Sequence, residues 1–207
     1  TFSAAVAPGC PWQDGLTYLQ EEPACQAHHA DVYPELVDAI DPDLVILANR
    51  SFDDPASSIH VVDDDAAGEL PLGSTEYVAS IRARTAATVQ ALRAAGRRVL
   101  IIEPVPPAPF GTDPLDCLSQ ATYLDECRFV SPVELTPVEQ VYRDVADSDD
   151  GVWTLDLDRR VCPYLPICDP IVGGLIVRRD TSHLTTRFAI TLLDQVGRFL
   201  DDNAILE

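Results

Sequence analysis

Val99-Leu100-Ile101-Ile102 sits between Gly96 and the prolines that start at Pro104, and this stretch decides the fold. Four consecutive apolar residues between turn formers suit a strand buried on both faces, as in a parallel sheet. Before it, Thr75 to Ala95 puts Val78, Ile81, Thr85, Val89 and Leu92 on one helical face, with Gly96 as the stop. Further upstream, Leu44-Val45-Ile46-Leu47-Ala48 is a second apolar run of strand length. Strand, helix and strand in that order form the crossover unit of a parallel sheet.

The rest of the chain extends the alternation. Phe2 to Val6 reads as a short strand, and Gly9-Cys10-Pro11 to Cys25 as an irregular loop. Asp31 to Ile40 carries Val32, Leu36, Val37 and Ile40 at helical spacing until Asp41-Pro42. Asp53 to Pro71 is acidic and loop-like, and five prolines interrupt Pro104 to Pro114. Thr136 to Ala146 reads as a helix with Glu139 completing a capping box, and Val152 to Leu157 as a strand. Cys162 to Gly174 reads as a loop. Thr185 to Leu200 reads as the last helix, turning Phe188, Leu192, Leu193, Val196 and Leu200 inward. The pattern predicts one α/β domain over residues 1–207: a three-layer α/β/α sandwich around a mainly parallel, flavodoxin-like sheet. Ligands of such sheets bind beyond the carboxyl ends of the strands.

Composition narrows the function classes. The 207 residues are 46% hydrophobic with 17 prolines, which suits a globular, loop-rich chain with a substantial core. A net charge of −20, with all 14 basic residues arginine, argues against nucleic acid as a partner, since phosphates must be neutralised by cations. It disfavours an anionic membrane surface for the same reason. There is neither a signal-peptide pattern nor an 18-residue apolar run, and no methionine at all, so an excised domain or processed product is expected.

Six cysteines fall in local couples: Cys10 with Cys25, Cys117 with Cys127, Cys162 with Cys168. Nearest-neighbour pairing closes three short loops, one of the 15 connectivities that six thiols allow. Zinc is the rival, but no CxxC occurs and His28-His29 lie at no finger-like spacing from two cysteines. Disulfides and an extracytoplasmic location are therefore expected. No metal or cofactor is expected: the acidic Asp53-Asp54 and Asp63-Asp64-Asp65 lack the spacing of a calcium loop and read as solvated.

The chemistry concentrates in Asp180-Thr181-Ser182-His183, just before the last amphipathic stretch. An acid three residues before a histidine can hold the imidazole in the tautomer that a general base needs. The bland alternative is a surface histidine beside a capping acid. Trp12 beside a cysteine reads as packing, with sugar stacking as the second possibility, and His28-His29 as exposed.

Asp180-Thr181-Ser182-His183-Leu184-Thr185 resembles the last block of the SGNH (GDSL-like) hydrolases and acyltransferases. Cys162-Pro163-Tyr164, Cys168, Gly173-Gly174, Ala7-Pro8-Gly9-Cys10-Pro11 and Pro42 through Arg50 sharpen the match. Together they resemble the SGNH domain fused behind the membrane-embedded acyltransferase-3 family, whose members O-acylate cell-envelope glycans. The resemblance implies His183 as base, Asp180 as its orienting partner, and Asn49 with the Gly9 N–H as oxyanion donors. Leu47-Ala48-Asn49-Arg50 stands where the family has Gly-x-Asn-Asp, and the bland roles of Asn49 and Gly9 are turn residues.

The family's first block, Gly-Asp-Ser, has no counterpart here and is expected before Thr1, together with a first strand; this would leave residues 1–207 inactive alone. Ser182 and Ser51 lack the setting of a nucleophile. The implied partners are an acyl donor, an envelope carbohydrate acceptor and a membrane-embedded acyltransferase domain in the parent chain. The alternative is an inactive SGNH-like module that binds glycan or protein.

Overall fold

A computed structural model describes residues 3–6, 10–18, 22–53, 61–65, 69–109 and 112–206. In chain order the elements begin with β1 (Leu16–Tyr18), α1 (Glu22–Asp31), a π-helical turn (Val32–Val37), α2 (Asp38–Ile40), β2 (Leu44–Ala48) and β3 (Val61–Asp63). Then come α3 (Thr75–Arg93), β4 (Arg98–Ile102), α4 (Pro114–Gln120), a 3-10 turn (Leu124–Cys127), β5 (Phe129–Val130), α5 (Pro137–Asp147) and β6 (Val152–Leu155). The chain finishes with α6 (Asp158–Val161), β7 (Ile167–Cys168), β8 (Ile171–Val172), β9 (Leu175–Ile176), α7 (Thr186–Thr191) and α8 (Leu193–Asp202).

Two compact units divide the chain: Thr1–Ile101 with Thr136–Thr154, and Ile102–Leu135 with Leu155–Glu207. In the first, β2, β4 and β6 form a sheet with β4 between the other two. Val99 N–H donates to Gly151 O at 3.0 Å, and four residues later in both strands Glu103 N–H donates to Leu155 O at 3.0 Å. Equal advance in the same direction makes the ladder parallel. With helical connections between its strands, the chain has the α/β architecture expected of a parallel-sheet sandwich. Its central strand is apolar because it is covered: Val99, Leu100 and Ile101 expose nothing. β2 is an end strand of the described sheet, and only Leu47 of its residues is buried, whereas Ile46 is exposed. The continuous apolar run therefore overstated its burial.

α3 starts at Ser74, whose Oγ accepts from Tyr77 N–H at 3.0 Å, and ends before Gly96, which adopts φ +79°. Tyr77, Ile81, Thr85, Thr88, Val89 and Leu92 are its buried face, so Tyr77 and Thr88 join the expected set while Val78 is only partly buried. α5 has the capping box read from Thr136 and Glu139: Glu139 N–H donates to Thr136 Oγ1 at 3.2 Å and Thr136 N–H to Glu139 Oε2 at 2.8 Å. Val138, Val141, Tyr142 and Val145 are its buried face, in one cluster with Trp12, Leu16, Phe52 and Val99.

Several expectations change. Residues 3–6 form no strand, and Thr1 and Phe2 lie outside the described residues. The expected loop up to Cys25 contains β1, paired antiparallel with β3, and the start of α1. The helix placed at Asp31 to Ile40 begins nine residues earlier, at Glu22, and passes through the π-helical turn. It ends at Asp41 in the left-handed conformation, and Ile40 is exposed. In the second unit, Cys162 to Gly174 is not all loop: β7 pairs antiparallel with β5, and Gly173-Gly174, with φ +59° and +79°, turn β8 into β9. The last helix breaks at Leu192 into α7 and α8. That break rotates the phase, so Phe188 and Leu192 are buried but Leu193 is exposed.

All three cysteine couples form disulfides, Cys10–Cys25, Cys117–Cys127 and Cys162–Cys168. Among the described residues no helix is long and apolar enough to cross a membrane. The acidic stretch is less solvated than its composition suggests. Asp63 is buried in β3 against Arg84 and Ser80, and Asp53 is buried with Oδ2 accepting from Val138 N–H at 3.0 Å. Asp54 lies outside the described residues.

Candidate active site

Asp180 and His183 lie on the turn between β9 and α7, in the second unit. Arg179 N–H donates to His183 O at 2.8 Å, closing the turn, and a bridge between Arg178 and Leu184 flanks it. Thr185 fastens both sides: its hydroxyl donates to Ile176 O at 2.5 Å and accepts from Phe188 N–H at 3.3 Å, capping α7. The pair thus precedes the helix and is not on it.

The Asp180 carboxylate organises the turn. Oδ1 accepts from Ser182 N–H at 2.9 Å and from His183 N–H at 2.7 Å, and both oxygens lie 2.9 Å from His183 Nδ1. Burial pushes the Asp180 pKa up, but the two backbone donors and the imidazole outweigh it and hold the group down to about 2. The carboxylate is therefore ionised at any ordinary pH. Directed at Nδ1, it favours the tautomer that carries the proton there and leaves Nε2 as the acceptor. The His183 side chain is 61% exposed, and no described residue hydrogen-bonds to Nε2. A free, oriented imidazole nitrogen can take a proton from a hydroxyl brought to it.

The prolines after β4 brace this turn within the same unit. Ala108 N–H donates to Thr181 O at 3.1 Å, and the Arg178 guanidinium donates to Pro106 O. Arg178 is buried; desolvation lowers its pKa to about 10 despite the charges of Asp158 and Asp180, and its Nη1 lacks a hydrogen-bond partner. Arg179 adds a longer ion pair, Nε to Asp180 Oδ2 at 3.5 Å. Sequence reading passed over Arg178; an arginine pair directly before a catalytic-type acid was the available signal.

Asn49 belongs to the first unit, at the carboxyl end of β2, as expected for that block. Its Oδ1 accepts from the Tyr142 hydroxyl at 3.2 Å, while its Nδ2 is shielded and has no partner. Gly9 lies outside the described residues. The structure brings Asp180 and His183 together, and describes Asn49 in its own unit. The remaining histidine expectations divide. His29 is buried, with Nε2 at 2.7 Å from Pro11 O, contrary to the exposed reading; His28 is half-buried, and both lie on α1. Trp12 is buried at 5.4 Å from the Tyr142 ring, so it packs in the core.

A family model described as SGNH domain (fused to AT3 domains) matches residues 2–198. The chain belongs to the SGNH domain family. No curated protein and no solved structure matched it. Membership accounts for the parallel α/β sheet. It makes the chain an SGNH domain of acyltransferase or esterase type, from a family found joined to membrane acyltransferase domains.

Proposed function

We propose that this SGNH domain works outside the cytoplasm on O-acyl, chiefly O-acetyl, esters of cell-envelope glycans or glycolipids, forming or hydrolysing them. The observation that carries the reading is the Asp180–His183 pair, with a carboxylate ionised at neutral pH held on Nδ1 and Nε2 left open. Three disulfides support the oxidising location.

In the first step a serine hydroxyl attacks the acyl carbonyl while His183 Nε2 takes its proton. The imidazolium gains its stabilisation from Asp180. Asn49 Nδ2–H and the Gly9 N–H have the role of donors to the oxyanion. The imidazolium then returns the proton to the leaving oxygen, and an acyl-serine remains. In the second step a glycan hydroxyl or water gives its proton to His183 and takes the acyl group, and the imidazolium passes that proton to the departing serine oxygen. The serine is the one that the family carries in its Gly-Asp-Ser block, a block not found among these 207 residues. Residues 1–207 assayed alone are therefore expected to show no serine-dependent turnover.

The test is His183→Ala in the full-length protein that carries this domain, assayed for p-nitrophenyl acetate hydrolysis and for acyl transfer. A loss on the order of 10³-fold or more is expected, as for removal of a triad base. Arg50, where the family has an acidic residue, favours the second reading of a glycan- or protein-binding module without chemistry. Absence of turnover in the unsubstituted full-length protein would support that second reading, and turnover that survives His183→Ala would remove His183 from the chemistry.

A further inference from the structure

We infer that Tyr142, itself oriented by Gln13, is a positioning residue that fixes the Asn49 amide with Oδ1 occupied and Nδ2 left as the unpaired donor. The inference rests on the proposed oxyanion role of Asn49. It is carried by a line of hydrogen bonds inside the first unit that joins three distant parts of the chain. Gln13 Nε2 donates to the Tyr142 hydroxyl at 2.9 Å and also lies 3.3 Å from Thr85 Oγ1. The Tyr142 hydroxyl donates its single proton to Asn49 Oδ1 at 3.2 Å.

Each member is placed by packing rather than by solvent. Gln13 and Tyr142 are both fully buried, and Tyr142 lies against Trp12 in the core. Burial pushes the phenol pKa well above its ordinary value, even with Gln13 and Asn49 hydrogen-bonded to it, so the hydroxyl remains protonated and can always donate. Because Gln13 supplies the proton that the phenol oxygen accepts, the phenol proton is left for Asn49.

An asparagine side chain presents oxygen or nitrogen depending on a half-turn about its last bond. With a phenol proton aimed at Oδ1, the reversed amide would set N–H against O–H. The observed orientation leaves Nδ2 shielded from water with no protein partner. A desolvated donor with nothing to bind is disfavoured in a resting fold. An unpaired amide N–H is the kind of donor that a developing oxyanion requires. Packing alone would be satisfied equally by phenylalanine at position 142, which retains the ring against Trp12.

The test is a double-mutant cycle in the full-length protein carrying this domain, with kcat and KM measured for Tyr142→Phe, Asn49→Ala and the double variant. Asn49→Ala is expected to lower kcat by roughly 10²-fold or more. Tyr142→Phe is expected to lower kcat by about tenfold with KM unchanged, the size of one hydrogen bond's effect. The double variant should be no slower than Asn49→Ala alone, because Tyr142 acts only through Asn49. If Asn49→Ala leaves kcat intact, the oxyanion reading fails and the inference falls with it. If Asn49→Ala is slow but Tyr142→Phe is not, or if the two losses multiply, the oxyanion reading stands and the positioning role is overturned. Should Tyr142→Phe not fold, Gln13→Leu removes the donor behind the phenol and is expected to lower kcat by a smaller factor through the same route. An unchanged kcat in a folded Gln13→Leu would then overturn the positioning role.

Discussion

Asp180 serves three partners with one side chain, so its charge is a structural as well as a chemical requirement. Its folded pKa, about 2, lies below the ordinary value near 3.9, so what it adds to stability is complete above that value and is lost as pH falls toward 2. An NMR titration of its carboxyl carbon should show no ionisation step above about pH 3. A midpoint near 4 would mean that the turn does not hold as described. Gly15 makes a second, unrelated demand. It adopts φ +82°, and a Cβ there would clash with the Arg84 guanidinium. Arg84 is not free to retreat, because Asp63 and Asp65 both bind it. Gly15→Ala should therefore destabilise the fold by about 1–3 kcal/mol in urea denaturation. A change within experimental error would show that Arg84 gives way easily.

The short loops closed by disulfides do for the second unit what long elements do for the first. Several of its pieces are only two to four residues long, including β5, β7, β8, β9 and α6. Such pieces bury little apolar surface on their own. Cys162–Cys168 pins β7, which pairs with β5, in the run that leads to the Asp180 turn. Chain-entropy reasoning gives each bridge roughly 2–4 kcal/mol and ranks them by loop length. Sequence separations of 15, 10 and 6 put Cys10–Cys25 first for global stability. Paired alanine variants should reproduce that ranking in denaturation midpoints. Loss of Cys162–Cys168 should nevertheless lower turnover most, as it lies nearest in sequence to the turn. Equal turnover in all three paired variants would contradict this.

The charge of the entire chain acts on stability as well as on partners. At −20 and an isoelectric point near 4.3, carboxylates greatly outnumber arginines at neutral pH. Local pairs offset part of this, as where buried Arg97 meets Asp38 at 3.1 Å and Asp41 at 3.2 Å. The residual self-repulsion is long-ranged and is screened within about 8–10 Å at physiological salt. Raising sodium chloride from about 10 mM to 150 mM should therefore raise the melting temperature at pH 7. A fall would mean that local ion pairs outweigh the net repulsion.

Several features were determined within short stretches of sequence, because their causes are local. The apolar run at Val99-Leu100-Ile101, the Thr136–Glu139 capping box, the nearest-neighbour disulfides and the Asp180–His183 turn all depend on groups at most 15 residues apart. The breaks in regular structure were less legible. The π-helical turn at Val32–Val37 and the division of the last helix at Leu192 leave the hydrophobic spacing nearly intact while changing which residues face inward. What only the tertiary structure decided is the environment of isolated polar side chains. Asp53 looked solvated but receives the Val138 N–H, 85 residues away. Asn49 looked like the end of a strand, yet its Oδ1 accepts from the Tyr142 hydroxyl, 93 residues on, which itself accepts from Gln13, 129 residues back. No periodicity encodes such pairings, because a hydrogen bond across a core is set by which elements pack together, and packing joins residues that the sequence keeps apart.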